Sequence, residues 1–162
     1  MPDFLIGAIC GAVGAAIGLI IIVVSRQQKF NNIKKSITDT GVEYLAPFFY
    51  CSANRYQKTL KVFDSYGVLY LIGNTVYYKT NPTAAPWAFN LAECKLQQEQ
   101  NWRRLKWFSF TTSTGDKYYF DSYKMQLFGN NSEETIKALN LFQSKQMSQP
   151  SHMPPPLPPK AS

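Results

Sequence analysis

The chain has 162 residues, of which 45% are hydrophobic and 15% aromatic, and its formal net charge is +7. This length accommodates one domain with short accessory segments. The single histidine, His152, lies in a proline-rich tail, which excludes Ser-His-Asp and Cys-His catalytic arrangements and most zinc sites. The sequence also lacks phosphate-loop, dinucleotide-binding and zinc-protease motifs. We therefore expect no catalysis, no cofactor and no metal.

The positive charge is concentrated in one short segment. Residues 26–35 carry a net charge of +4, whereas residues 36–145 carry only +3 over a much longer stretch. Nucleic-acid binding is typical of domains with a strongly basic surface. Since the main domain is only mildly basic, we expect no nucleic-acid partner.

The N-terminal region is strongly apolar. Phe4–Val24 contains 21 residues without a charged side chain, and a helix of that length would cover about 31 Å, close to the ~30 Å of a bilayer core. A signal peptide would have a basic start and a small-residue cleavage site, and a core helix would show a polar stripe. The sequence therefore predicts a single transmembrane helix over residues 4–24, after a short extracytoplasmic segment, residues 1–3.

The residues that follow the apolar stretch predict its orientation. The four basic residues of segment 26–35 come directly after Val24, and no Lys or Arg precedes the stretch. The positive-inside rule then places the N-terminus outside and the main domain in the cytoplasm. We expect a single-pass protein of the plasma membrane or a bacterial inner membrane, with the bilayer as its lipid partner and residues 25–41 as a basic juxtamembrane connector.

Small residues recur every fourth position within the predicted span. Gly7, Gly11 and Ala15 form one row, and Gly14 and Gly18 form a second. Such rows let two helix backbones approach closely, so we expect these residues to mediate helix–helix contact in a homo-oligomer. The alternative is that glycine and alanine are simply common in membrane helices.

From Val42 onward the composition is typical of β-sheet. Twenty-two aromatic residues lie between Val42 and Phe142, mixed with Val, Ile and Thr and interrupted by turn residues. Lys58–Phe63, Trp87–Gln98 and Arg103–Thr112 read as strand regions. Gly67–Ile72 and Thr75–Lys79 read as a hairpin around Gly73-Asn74, and residues 113–116 as a tight turn into Lys117–Asp121.

The pattern changes to helical after Gly129. Ser132 is a suitable N-cap, two glutamates follow it, and Ile136, Leu139 and Phe142 recur at helical spacing. This predicts an amphipathic helix that ends near Ser144. Overall we predict an α+β chain, in which a small antiparallel sheet or barrel over residues 42–145 is closed by this C-terminal helix.

Cys51 and Cys94 are the cysteines of the predicted β domain, and they lie far apart without a CxxC partner. A secreted disulfide framework would show several regularly spaced cysteines. We therefore expect both to be small buried core residues.

This succession of strands and a closing helix resembles the pleckstrin-homology (PH) superfold, in particular bacterial PH-like and GRAM-like domains. The segments that carry the resemblance are GVLYLIGNTVYYK, WAFNLAECKL, LKWFSFTTSTGDKYYF and SEETIKALNLF. The resemblance implies a binding or scaffolding module without enzymatic activity. One departure concerns the basic signature of phosphoinositide-binding members. Only Lys58 and Lys61 lie near its expected position, which argues against specific inositide binding.

A cluster of basic and aromatic residues lies just past the middle of the domain in sequence. Arg103, Arg104 and Lys106 stand beside Trp102 and Trp107. Arginine pairs with phosphate and tryptophan favours membrane interfaces, so Trp102 and the three basic residues are candidates for lipid headgroup contact. Alternation of outward basic and inward aromatic residues along a strand would produce the same pattern.

The C-terminal residues, 146–162, are polar and proline-rich, and we expect them to be disordered. They contain Pro154–Lys160, in which Pro155, Pro158 and Lys160 form a P-x-x-P-x-K motif. A polyproline II helix is preformed and binds aromatic grooves at little entropic cost. The motif resembles ligands of SH3 and WW domains, which predicts a protein partner at the tail. A low-complexity terminus is the alternative.

Together these features predict a membrane-anchored, cytoplasmic PH-like scaffold or regulatory binding module. A second hypothesis is an adaptor that recruits SH3- or WW-type partners through its tail, with the domain as a spacer. A third is an oligomeric membrane element built on the glycine-rich span.

Overall fold

The structure is a computed structural model that describes residues 2–58, 63–100, 106–122, 124–126, 129–131 and 133–148. Its helices are α1 (Pro2–Lys35), α2 (Ala53–Tyr56) and α3 (Glu133–Met147). Its strands are β1 (Val42–Ser52), β2 (Ser65–Ile72), β3 (Thr75–Lys79), β4 (Trp87–Asn90), β5 (Lys95–Gln98), β6 (Phe108–Thr111), β7 (Lys117–Asp121), β8 (Lys124–Gln126) and β9 (Gly129–Asn131).

Seven strands form one open antiparallel sheet in the order β4-β3-β2-β1-β7-β6-β5. Strands β1 to β4 make one meander and β5 to β7 make another. β1 joins the two, because it pairs with β2 through Tyr50 and Ser65 and with β7 through Tyr50 and Phe120. β8 and β9 form a separate two-stranded sheet.

The main core lies on one face of this sheet, which we call the inner face. Alternation along β1 directs Tyr44, Ala46 and Phe48 to this face, as expected for a strand whose side chains alternate. Buried residues of all seven strands join them, and α3 covers part of the core with Ala138, Leu139 and Phe142. A hydrogen bond also holds α3 on the sheet: the Tyr44 hydroxyl of β1 donates to Glu134 Oε1 of α3 at 2.8 Å.

Two glycines form the tight turns of the sheet. Gly73, between β2 and β3, has a φ of 56°, and Gly115, between β6 and β7, has a φ of 88°. These left-handed conformations disfavour any residue with a Cβ. The predicted hairpins at both turns are therefore present, with the turn residues that the sequence indicated.

The second half of α1 packs on the opposite, outer face of the sheet. Ile33 is 0% exposed and clusters with Val68 and Tyr70 of β2, and Phe30 lies beside them. Nearer the middle of the helix, the Arg26 guanidinium lies 5.1 Å from the centre of the Phe49 ring. Residues 25–35 are thus part of the packed domain rather than a free connector.

The predicted membrane helix needs correction. In the described part of the chain, no helix combines the length and the apolarity that a bilayer crossing requires. From Ser25 the helix is polar and basic.

The prediction of a transmembrane helix over residues 4–24 is therefore wrong. The predicted α+β fold class included that helix, and it is corrected to an open seven-stranded antiparallel sheet with helices. The single-pass topology and the membrane localisation, with the N-terminus outside and the domain in the cytoplasm, were derived from that helix. Both are withdrawn with it.

Gly67 of β2 lies very close to the backbone of the neighbouring strand β3. A Cβ at this position would clash with the carbonyl oxygen of Lys79 and lie 3.0 Å from the ring of Tyr78. Since the clashing atom belongs to the backbone of β3, it cannot move without disturbing the β2–β3 pairing. Glycine is thus needed here for space and not for its conformational freedom.

We predict that Gly67→Ala lowers the free energy of unfolding by about 1–3 kcal/mol, the usual cost of overpacking. Chemical denaturation followed by circular dichroism measures the change. Gly14→Ala in α1 is the matched control, because its added methyl group would meet no atom within 4 Å and alanine favours helix. A Gly67→Ala chain as stable as the wild type would show that the two strands are not so closely packed.

Candidate functional site

Three aromatic side chains form an accessible cluster at one end of the inner face. The ring centres of Tyr50 and Trp87 are 4.9 Å apart, those of Trp87 and Tyr118 are 5.8 Å apart, and those of Tyr50 and Tyr118 are 6.0 Å apart. Trp87 is 40% exposed, and the two tyrosines are half-buried. We call these three residues the aromatic patch.

The register of the sheet explains why the three rings meet. Tyr50 lies near the end of β1, Trp87 begins β4, and Tyr118 is the second residue of β7. Ser52 pairs with Tyr118 across β1 and β7, and Tyr78 pairs with Trp87 across β3 and β4. Curvature of the sheet brings β4 towards β7, as the 5.1 Å separation between the Phe89 and Tyr118 ring centres shows. The patch thus combines both meanders.

The loop before Trp87 is ordered by a single side chain. Asn81 Oδ1 accepts hydrogen bonds from the backbone N–H groups of Thr83 and Ala84 at 3.0 and 2.7 Å and from the Thr83 hydroxyl at 3.0 Å. An asparagine that bonds its own following backbone holds a tight turn. The entry of the chain into β4 is therefore fixed.

The other two patch residues, Tyr118 and Tyr50, also lie beside ordered segments. In the turn before Tyr118, the Thr112 N–H donates to the Asp116 carbonyl at 2.9 Å, and the Thr114 hydroxyl donates to the Asp116 carboxylate at 2.7 Å. Close to Tyr50, the Ser52 N–H donates to Asp64 Oδ2 at 2.6 Å. All three segments that carry the patch are thus held before any ligand arrives.

The layer beneath the patch contains a polar contact. The Tyr78 hydroxyl lies 3.1 Å from Ser65 Oγ and donates to the Phe48 carbonyl at 3.4 Å, inside the core. Burial raises the pKa of Tyr50 to about 12, and the negative charge of Asp64 adds to this effect. The Tyr50 hydroxyl therefore stays protonated at neutral pH and can donate a hydrogen bond.

Two basic residues that lie close in sequence to Tyr50 and Tyr118 are paired with carboxylates. Arg55 Nε lies 2.8 Å from Asp64 Oδ1, and Lys117 Nζ lies 2.6 Å from Glu99 Oε1 on the outer face. A binding site for phosphate or another anion would leave such cations available for the ligand. The patch is therefore suited to an apolar, hydrogen-bond-accepting ligand rather than to an anion.

A second distinctive group is the buried carboxylate of Asp121, at the end of β7. Thr135 Oγ1 donates to Asp121 Oδ1 and accepts from the Ser122 N–H, both at 2.8 Å, while the Ser122 hydroxyl donates to the Pro47 carbonyl at 2.8 Å. Asp121 Oδ2 has no hydrogen-bond partner. Burial raises the pKa of Asp121 to about 7, although the hydrogen bonds from Thr135 and Ser122 lower it.

This network joins α3 to the sheet and does not form an accessible site. Asp121 is 0% exposed, so a ligand cannot reach it in this conformation. No three His, Cys, Asp or Glu side chains come together as metal ligands within the described ranges. Among the described groups, the aromatic patch is therefore the better candidate for contact with a partner.

The predicted lipid-contact cluster is only partly described. Arg103, Arg104 and Trp102 lie outside the described residues, and Lys106 is exposed. The neighbouring Trp107 is 1% exposed, because it packs against Phe63 and Tyr56 on the outer face. Trp107 is thus a core residue.

The other predicted sites keep their status as predictions. Added Cβ atoms at Gly14 and Gly18 would meet nothing within 4 Å, so the chain itself leaves these positions open. Nothing is described of the side chains at Gly7, Gly11 and Ala15. The tail motif of Pro155, Pro158 and Lys160 lies outside the described residues. Cys51 and Cys94 are both buried, as predicted, and they belong to core clusters on opposite faces of the sheet.

The sequence pattern does not reveal the patch, because every aromatic residue of the domain also fits the predicted sheet. The available signal was Trp87 itself, which follows a loop containing Pro82 and Pro86. Among the described residues outside the helices, Trp87 is the exposed large hydrophobic side chain. Its association with Tyr50 and Tyr118 depends on sheet curvature, which the sequence pattern does not reveal.

Comparison with known proteins adds no family assignment. No protein-family model matches this sequence, and no curated protein matches it at a significant level. The function is therefore argued from the geometry of the patch.

The raised pKa of Asp121 predicts a pH-dependent stability. Between its ordinary value of 3.8 and about 7, the carboxyl is protonated in the folded chain and ionised in the unfolded chain. The folded state then binds more protons, so its stability falls as the pH rises through this window. From pH 5 to pH 8 we expect the free energy of unfolding to fall by about 2–3 kcal/mol through this group.

Urea denaturation across this pH range measures the effect, and Asp121→Asn should flatten the profile because the amide does not titrate. Glu93→Gln is a control, since Glu93 is exposed. Equal slopes for the wild type and Asp121→Asn would contradict this account of the buried carboxyl.

Proposed function

We propose that this chain is a non-catalytic binding module of the PH-like class, which holds a proline-rich peptide segment on the aromatic patch. The observation that carries the proposal is the set of three mutually contacting, partly exposed rings at the end of the sheet. They are supported by ordered segments on all sides.

The chemistry of the patch matches a polyproline II ligand. Such a helix has no internal hydrogen bonds and presents rigid, apolar proline rings beside exposed carbonyl groups. Aromatic-lined grooves bind it because the rings pack on proline and nearby donors bond the carbonyls. Here Trp87 offers an exposed indole, and the protonated Tyr50 hydroxyl offers a donor.

The ordered state of the patch also favours binding. A preformed surface loses little conformational entropy when a ligand docks, so more of the contact energy appears as affinity. Asn81 before β4 and the turn before β7 supply this order.

The strand order supports assigning the domain to the PH-like class. The resemblance implies a succession of antiparallel strands closed by a helix, and the seven strands of the sheet followed by α3 agree with it. The pairing of Arg55 and Lys117 with carboxylates supports a peptide ligand over an inositide. Lys58 is exposed, and the second residue of the expected basic signature, Lys61, lies outside the described residues.

We expect a fluorescein-labelled peptide of ten prolines to bind a chain shortened to residues 1–148, which removes the protein's own prolines beyond α3. Trp87→Ala and Tyr118→Ala should each weaken binding about tenfold or more, because truncation of an interface anchor costs ~2 kcal/mol. Fluorescence anisotropy measures the dissociation constants.

Tyr77→Ala is the matched control. Tyr77 is also a half-exposed tyrosine, but it stacks on Tyr70 on the outer face, with 5.2 Å between ring centres. Its substitution should leave peptide binding unchanged. A peptide of alternating glycine and serine should not bind. If Tyr77→Ala weakens binding as much as Trp87→Ala does, or if decaproline does not bind, the proposal fails.

A further inference from the structure

We infer that the aromatic patch receives the chain's own proline-rich tail, Pro154–Lys160, which competes with external peptides and so regulates the module. This inference rests on the proposed function. The tail follows α3 and lies outside the described residues, whose last member is Ser148. The position of Ser148 therefore gives the point from which the tail starts, and the number of residues after it gives the distance that the tail can reach.

The end of α3 lies at the connection between β4 and β5. Gln146 Nε2 donates to the carbonyl groups of Leu91 and Cys94 at 2.7 and 2.9 Å, which holds the last helical turn at the β4–β5 connection. Leu91 directly follows β4 and lies four residues after Trp87, the first residue of that strand. Four residues of extended strand span ~13 Å.

The strand pairing gives a second measure of the distance from the β4–β5 connection to the patch. Leu96 of β5 pairs with Phe110, and Phe110 pairs with Tyr118, so the patch lies two strands away from β5. Two strand spacings correspond to ~10 Å. The six residues from Ser148 to Pro154 can extend up to ~20 Å. The proline segment can therefore reach the patch without any change in the sheet.

The tail also has the required chemistry. Its sequence PPPLPPK contains five prolines and one leucine before a single lysine. Asp116, two residues before Tyr118, is exposed. A docked tail can therefore place its prolines on the rings and direct Lys160 towards the Asp116 carboxylate.

Covalent attachment makes even a weak contact effective. A short flexible linker gives a local concentration on the order of 1 mM. If the free segment binds with a dissociation constant of ~0.1 mM, the attached tail raises the apparent dissociation constant for an external peptide about tenfold.

The test compares the full wild-type chain with a full-length tail variant. In the variant, all five prolines of the motif are replaced: Pro154→Ala, Pro155→Ala, Pro156→Ala, Pro158→Ala and Pro159→Ala. We expect labelled decaproline to bind the variant about tenfold more tightly than the wild type. His152→Ala is the tail control and should bind like the wild type.

A nuclear magnetic resonance measurement on the same proteins reads the contact directly. The indole N–H signal of Trp87 should differ between the wild type and the tail variant, and the difference should persist on dilution. A difference that disappears on dilution would overturn the inference, because it would place the tail on a neighbouring chain.

The two proposals fail in different ways. Equal, measurable binding of decaproline by the wild type and the tail variant would overturn the inference and leave the proposed function standing. No binding by either chain or by the chain of residues 1–148, with an unchanged Trp87 signal, would overturn both.

Discussion

The structure depends on β1, which is hydrogen-bonded along both of its edges. Antiparallel pairing with β2 and with β7 makes it the only described connection between the two meanders within the sheet. Its alternating side chains also supply both faces, with Phe48 in the main core and Cys51 in the outer aromatic cluster. A strand with this role cannot shift by one residue, since every side chain would then change face. The position of Tyr50 in the patch follows from this fixed register.

The sequence was informative where local chemistry decides the structure. The Gly73-Asn74 and Gly115 turns follow from residues that favour turns, and both are present. The C-terminal helix is also present, but it runs to Met147 and buries Thr135 and Ala138 where Ile136 was expected. The buried face of a helix depends on the surface it meets. Here the hydrogen bond from Thr135 to Asp121 turns that face towards the sheet.

Predictions failed where the structure depends on distant partners. The strand predicted at Lys58–Phe63 is not among these failures, because residues 59–62 lie outside the described ranges and it stays a prediction. The basic segment after Val24 was interpreted as a membrane flank, whereas its side chains contact the outer face of the sheet through Arg26 and Ile33. Neither the aromatic patch nor the burial of Asp121 could be predicted, because each requires strands that are distant in sequence.

The central claim is that both meanders, joined by β1, present one binding surface for proline-rich segments. Intermolecular nuclear Overhauser effects between decaproline and the chain of residues 1–148 test it most directly, since they report proton pairs in contact. The account predicts cross-peaks from proline ring protons to the rings of Tyr50, Trp87 and Tyr118 together. Cross-peaks confined to the outer-face rings of Tyr70 and Tyr77, or to one meander alone, would contradict it.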